Sequence, residues 1–200
     1  IFDKLKSAWS HPYFLPNNSF LVPYSKEDKN ISITECRFPY KGLFISGKGA
    51  RTRLHRDPFN SNAILCQFYG EKEIYLYSPE QEKHVMNGKT FVNLADPDLD
   101  KFTSFSEAKE SYHVKLSPGE IIFFPAGWFH DVTSISDSIS ITWNFVCFEE
   151  LEAFKKYIRK HPDDDQLEIV RFFLKEYISP NTSVEDVLSF LEGELQVKPA

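Results

Sequence analysis

Two patterns of apolar and polar positions divide the chain. As far as residue 148 the apolar residues come in short runs, several with period two, separated by turn residues. Such runs predict half-buried strands. They cover Ile31 to Thr34, Lys41 to Ser46, the segment around His55, Ala63 to Tyr69, Lys72 to Tyr77, His113 to Leu116, Glu120 to Phe124, Trp128 to Ser134 and Ser138 to Phe148. Gly47-Lys48-Gly49 and Gly70-Glu71 mark breaks between them. Phe2 to Trp9 predicts a short helix that stops before His11-Pro12, and residues 12 to 30 read as loop. Ser78-Pro79-Glu80 looks like a helix start, with Ser78 as cap. From Met86 to Ser111 the pattern is loop-like, with turn signals at Asn87-Gly88 and Asp96-Pro97-Asp98. A connection that long is usually functional, and it is expected to form a lid on the substrate side.

After Glu149 the period changes. Leu151, Phe154, Tyr157 and Ile158 recur at helical spacing up to His161-Pro162. Leu167 to Ile178 repeats the pattern, and Val187, Leu188, Phe190 and Leu191 mark a last helix capped by Thr182 or Ser183. The expected division is a β domain over 1–148 and a helical extension over 149–200, packing on the β domain or forming a dimer contact. Many short strands with turns between them predict a sandwich or barrel, of which the jelly roll is one form.

Composition narrows the classes. Hydrophobic residues make up 42% and charged residues 26%, which suits a folded core rather than disorder. Nineteen Phe fit wide packed sheet faces. The net charge of -6 argues against a general nucleic-acid binder, though not against a basic protein segment as substrate. Cys36, Cys66 and Cys147 lack paired spacing and are expected to be reduced core thiols. No apolar run reaches the ~20 residues of a membrane span. With no signal-peptide pattern, an intracellular, cytoplasmic location is expected, or a nuclear one in a eukaryote. The chain opens at Ile1 without Met, which leaves room for a missing N-terminal segment.

The candidate chemistry lies in two stretches. In Thr52-Arg53-Leu54-His55-Arg56-Asp57-Pro58, alternation sends His55 and Asp57 to one face and Leu54 and Arg56 to the other. In PGEIIFFPAGWFH, residues 118–130, His130 follows a Pro-Ala-Gly turn and can return to the same mouth. Two imidazoles and one carboxylate, with other positions open, form the usual donor set of a non-haem Fe(II) oxygenase. Thr52 can add a hydroxyl near the metal. Lys72 shares a strand face with Ile74 and Leu76. Either it meets an anion, such as a cofactor carboxylate, or its stem packs while its amine reaches the rim. In the last strand Ser138, Ser140, Thr142 and Asn144 form a polar row, lining a cavity or facing solvent. His11, His84, His113 and His161 read as surface or loop histidines, Trp128 and Trp143 as core, and Arg51, Arg53 and Arg56 as a solvated rim that could meet an acidic substrate.

Together, the His55-Arg56-Asp57-Pro58 motif, the Gly70-Glu71-Lys72 step, the stretch ending in His130, and Thr142 with Asn144 resemble the JmjC branch of the Fe(II)/2-oxoglutarate-dependent oxygenases. The likeness is closest to the small jumonji protein hydroxylases and covers residues 40 to 148. It implies a mainly β, double-stranded β-helix (jelly roll, cupin) fold. It implies His55, Asp57 and His130 as Fe(II) ligands. Lys72 would take the distal carboxylate of 2-oxoglutarate, with Thr142 and Thr52 helping and Asn144 beside the metal or cosubstrate. The implied reaction uses O2 to convert 2-oxoglutarate to succinate and CO2 while oxidising a substrate, with ascorbate supportive in assays. One departure is Leu65, which stands where many relatives place an asparagine that contacts the cosubstrate. The tyrosine that often completes the carboxylate pocket could be Tyr40 or Tyr24.

Three readings follow. The leading one is hydroxylation of a protein or peptide side chain, with no nucleic acid or membrane partner expected. The second is N-methyl-lysine demethylation by the same iron chemistry; scattered cysteines without zinc-finger spacing lower it. The third is a cupin that binds metal or ligand without turnover.

Overall fold

The structure is a computed structural model that describes residues 40–57, 60–145 and 151–161. Ten strands are described: β1 (Tyr40–Ser46), β2 (Arg51–His55), β3 (Asn62–Tyr69), β4 (Lys72–Tyr77), β5 (Met86–Asn87), β6 (Thr90–Phe91), β7 (Tyr112–Leu116), β8 (Ile121–Phe124), β9 (Phe129–Ser134) and β10 (Ser138–Phe145). The fold is mainly β. Eight strands build two four-stranded antiparallel sheets, one in the order β1-β10-β3-β8 and the other β2-β9-β4-β7. The strand bounds follow the alternation closely; β4 is Lys72–Tyr77 as predicted.

The sheets bury a shared core. Ala63, Leu65 and Phe124 from the first sheet meet Ile74, Leu76, Leu116 and Val132 from the second. Each full burial of an Ile or Leu contributes roughly 1.5–3 kcal/mol. This core occupies part of the space between the sheets, and polar side chains line the remainder. On the outer face of the first sheet Ile64, Cys66, Ile141, Trp143 and Phe145 form a second buried cluster. Cys66 is a free, buried thiol, and burial pushes it up to about 11. Trp143 is core, as expected, whereas Trp128 is only half-buried and packs against the shared core.

The segment after Ser78 departs from expectation. Ser78 caps a short 3-10 turn with Pro79 in its first turn, although its side chain makes no capping hydrogen bond. A short helix, Glu82–Val85, leads into the β5-β6 hairpin. Val85, Val92 and Phe102 then bury themselves against Leu54, Tyr77 and Phe129. Those three side chains lie on the outer face of the second sheet, opposite His55, Leu76 and His130. The 86–111 segment is therefore a packed layer behind that sheet, not a lid over the space between the sheets. His84 belongs to this layer: it is buried, with Nδ1 2.9 Å from the carbonyl of Ser104, rather than on the surface.

Of the expected C-terminal helices, Leu151–Lys160 is present and ends at His161, as the His161-Pro162 pair predicts. The later helices, the N-terminal helix, Tyr24, Ile31–Thr34, Cys36 and Cys147 lie outside the described residues. Among the described residues, no helix is long and apolar enough to cross a membrane.

Candidate active site

His55 and His130 stand opposite each other on β2 and β9, with ring centroids 4.2 Å apart. Asp57 follows the end of β2, and its Oδ2 lies 3.7 Å from His130 Nε2. One ligand atom from each of His55, Asp57 and His130 falls within 4.8 Å of the others, near enough for one ion to collect all three.

The backbone aims both rings. His55 Nδ1 lies 2.9 Å from the Arg53 carbonyl, and His130 Nδ1 lies 3.3 Å from that of Trp128. A carbonyl can only accept, so Nδ1 carries the proton in each ring. Nε2 is left with its lone pair toward the common centre, as metal-binding histidines require. The Pro125–Trp128 turn delivers His130: Trp128 N–H donates to the Pro125 carbonyl, and Gly127 takes φ +80°, the glycine position of a type II turn. Asn62 Oδ1 accepts from Ala126 N–H at 2.9 Å and ties the turn to β3. Phe124 stacks on His130 with centroids 4.1 Å apart.

Burial sets the charge states. It drives His130 down to about 3, aided by neighbouring His55 and opposed by the Trp128 carbonyl and Asp131, so this imidazole is neutral at pH 7. Burial also raises Asp57, while the Asn144 amide and His55 pull it back. A neutral imidazole and a carboxylate that gains from a nearby cation are what a divalent ion needs.

Lys72 is the other unusual group. It is 5% exposed, and burial lowers its pKa. Its Nζ donates to Ser134 Oγ at 3.0 Å and Ser46 Oγ at 3.3 Å. Among the described residues no carboxylate pairs with it. The sequence left open an amine reaching the rim; the amine instead stays inside.

The polar row of β10 faces inward. Ser138, Ser140 and Asn144 are buried, and Thr142 is half-buried opposite Leu65 of β3 and Gly42 of β1. Asn144 Nδ2 donates to Ser61 Oγ at 3.3 Å. Leu65 is core, so it offers the site no polar atom. Tyr40 stands in register opposite Asn144. Thr52 shares the face of His55 for a reason alternation hides: the β2-β9 register shifts between them, three steps along β2 matching two along β9. The triad, Lys72, Thr142 and Asn144 thus all face the space between the sheets, whereas Thr52, on the same face by register, is exposed. Ser46, Ser61 and Ser134 also border that space and were not singled out from the sequence. The signal for Ser134 was there, since it follows His130 and Val132 on the same face of β9.

The rim arginines differ. Arg51 turns outward to a bidentate pair with the buried Asp131, at 2.7 and 2.8 Å. Arg56 pairs with Glu82 at 3.0 Å and lies 5.8 Å from the ring centres of both Phe129 and Tyr157. His113 pairs with Glu73 at the surface.

A family model described as a cupin-like domain matches residues 9–150. The chain belongs to the cupin-like domain family. The similarity to 2-oxoglutarate and iron-dependent oxygenase JMJD4 of Gallus gallus is 31% identity over 153 residues, 68% of this chain and 35% of that protein. Arginine-specific demethylase JMJ20 of Arabidopsis thaliana is 34% identical over 130 residues, 62% of this chain and 26% of its own length. tRNA wybutosine-synthesizing protein 5 of Homo sapiens is 31% identical over 123 residues, 59% of this chain and 38% of its own. This cupin-like chain spans about a third of the length of the curated relatives it matches. The resemblance read from the motifs over residues 40 to 148 falls within the residues that the family model matches.

Proposed function

We propose that this chain carries the catalytic barrel of an Fe(II)- and 2-oxoglutarate-dependent oxygenase that hydroxylates a side chain of a protein or peptide. The observation that carries the reading is the convergence of His55, Asp57 and His130 on one point, with both Nδ1 atoms tied to carbonyls. Likeness to the iron- and 2-oxoglutarate-dependent oxygenase of Gallus gallus supports it. The strand order over Tyr40–Phe145 fits a double-stranded β-helix, and the Leu151–Lys160 helix would belong to an extension that packs on it or pairs two copies.

The residues suit the groups they would hold. His55, Asp57 and His130 supply two neutral donors and one anion, which Fe(II) accepts while keeping positions for other ligands. Iron with 2-oxoglutarate and O2 supplies the oxidation of a substrate C–H bond, yielding succinate and CO2. Lys72 supplies a buried cation for the distal carboxylate, with Thr142 and Thr52 as hydroxyl donors. Asn144 holds the Asp57 carboxylate through its amide. The apolar walls, Leu65, Leu76 and Phe124 among them, exclude water beside the reacting centre.

Demethylation of an N-methyl group is the second reading, favoured by the similarity to an arginine-specific demethylase. Mass spectrometry of protein and peptide substrates treated with Fe(II), ascorbate and 2-oxoglutarate separates the two. Gain of one oxygen atom without formaldehyde supports hydroxylation; formaldehyde release supports demethylation. Because one relative is named for tRNA wybutosine synthesis, tRNA belongs in the same assay. Oxidation of tRNA alone would contradict the protein-substrate proposal.

A further inference from the structure

Behind the second sheet, on the face away from the triad, a cavity of about 330 Å³ opens between the strands and the 86–111 layer. Its size falls at the lower end of the about 300–1,000 Å³ usual for small-ligand sites. Glu73, Tyr75 and Tyr77 of β4 line it beside the Arg51–Asp131 pair, and Leu94, Phe105 and Glu110 line it from the layer. Asp131 is 1% exposed and accepts from Arg51 with both oxygens, at 2.7 and 2.8 Å, so this ion pair is closed on itself. Two carboxylates are left over. Glu73 Oε1 lies 2.9 Å from His113 Nε2, and Glu110 has no ion pair among the described residues. Tyr77 is 7% exposed, yet its hydroxyl has no hydrogen-bond partner among the described residues. Buried polar groups are normally paired, so an orphan hydroxyl beside a cavity points to an occupant.

The surroundings suit a cation. Burial, and after it Glu73, Glu110 and Asp131, push the Tyr75 phenol up; burial, then Glu110 and Asp131, do the same for Tyr77. The field at both rings is therefore negative in spite of Arg51, and aromatic faces themselves favour cations. The donors do not suit a metal ion: among the described residues only His55, Asp57 and His130 bring three such groups within reach of one ion. Glu73, Glu110 and the Tyr77 hydroxyl are separate single acceptors. They match the three diverging N–H bonds of an ammonium better than the planar fork of a guanidinium. Phe105 and Leu94 offer an apolar wall for a carbon stem.

We propose that this cavity binds an alkylammonium group, which donates to Glu73, Glu110 and the Tyr77 hydroxyl and lays its stem against Phe105 and Leu94. The site lies on the opposite side of the sheet from His55 and His130, so the proposal goes beyond the oxygenase reading and stands without it. Two sources carry such a group: a lysine side chain of a protein and a free amine.

NMR titration of the full chain tests the site with three probes. They are Nα-acetyl-lysine methylamide, n-butylamine, and Nα-acetyl-norleucine methylamide, which keeps the carbon stem of lysine and lacks the ammonium. The wild type is expected to bind at least one of the amines about tenfold or more tightly than the norleucine derivative. Binding of the lysine derivative identifies a protein lysine as a source; binding of n-butylamine alone restricts the site to free amines. Tyr77→Phe, which removes only a hydroxyl, and Glu110→Gln, at an exposed position, are each expected to weaken the bound amine about threefold or more. Glu107→Gln, exposed on the same layer but outside the cavity, is expected to leave binding within about 1.5-fold of the wild type. Equal losses for Glu107→Gln and Glu110→Gln would reduce the effect to surface charge and overturn the site. Amines bound no better than the norleucine derivative, or bound equally by both cavity variants and the wild type, would overturn it too.

Discussion

His55 and His130 are direct cross-strand partners of β2 and β9, their rings 4.2 Å apart. That pairing makes one strand contact responsible for two metal donors, with Asp57 added just beyond the strand end. The chain separation of the histidines is irrelevant once the register is set. A shift of one residue would turn His130 to the outer face.

Removing the carboxylate should therefore undo the site without undoing the fold. Asp57→Ala is expected to weaken Mn(II) binding by more than about a hundredfold, because changes merely beside metal ligands already cost about 10–100-fold. Calorimetry measures this. Affinity within about threefold of the wild type would show that Asp57 is not a ligand.

Lys72 should be dispensable for stability and needed for cosubstrate. It is a buried cation whose partners among the described residues are hydroxyls. Replacing it with an apolar side chain of similar length removes a desolvation cost. Lys72→Met is expected to unfold at the same urea concentration as the wild type or a higher one, while losing 2-oxoglutarate binding. A less stable variant that still binds 2-oxoglutarate would contradict this.

Much of this arrangement was legible in the sequence. Period two placed His55 and Asp57 together and Lys72 with Ile74 and Leu76, since strand geometry leaves side chains no other choice. Three features were not legible. The irregularity between Thr52 and His55 breaks the alternation that would have put Thr52 on the outer face. The hydroxyl cluster of Ser46, Ser134 and Ser138 joins β1, β9 and β10, and such tertiary pairing has no local signal. The 86–111 layer packs through Val92, Phe102 and Phe105, whose spacing follows no period, so it read as a loop.

Two glycines separate backbone strain from crowding. Gly70 (φ +69°) and Gly119 (φ +88°) both need the left-handed region. A Cβ at Gly119 would meet open space, whereas one at Gly70 would strike the carbonyl of Asp137. Gly119→Ala is expected to cost about 1–2 kcal/mol, and Gly70→Ala more than about 3 kcal/mol. Urea unfolding of both variants checks the order; equal losses would count against the close approach of β3 to the turn before β10.

Cys66 predicts an alkaline effect. Its folded pKa is raised by burial to about 11 from 9.0, so the folded thiol keeps its proton where the unfolded one ionises. The stability from this group is fully present below pH 9.0 and is lost as pH rises from there through about 11. By about pH 10 the loss is roughly 1 kcal/mol. Urea midpoints across this range should fall more steeply for the wild type than for Cys66→Ala. Parallel curves would mean that the thiol is accessible in the folded state.

The central claim is that His55, Asp57 and His130 hold an iron that turns over 2-oxoglutarate. Succinate formation by the purified chain with Fe(II), ascorbate and 2-oxoglutarate tests it most directly, measured beside His55→Ala. Succinate is expected from the wild type and none above background from the variant. Equal succinate from both, or none from either in the presence of protein substrates, would contradict it.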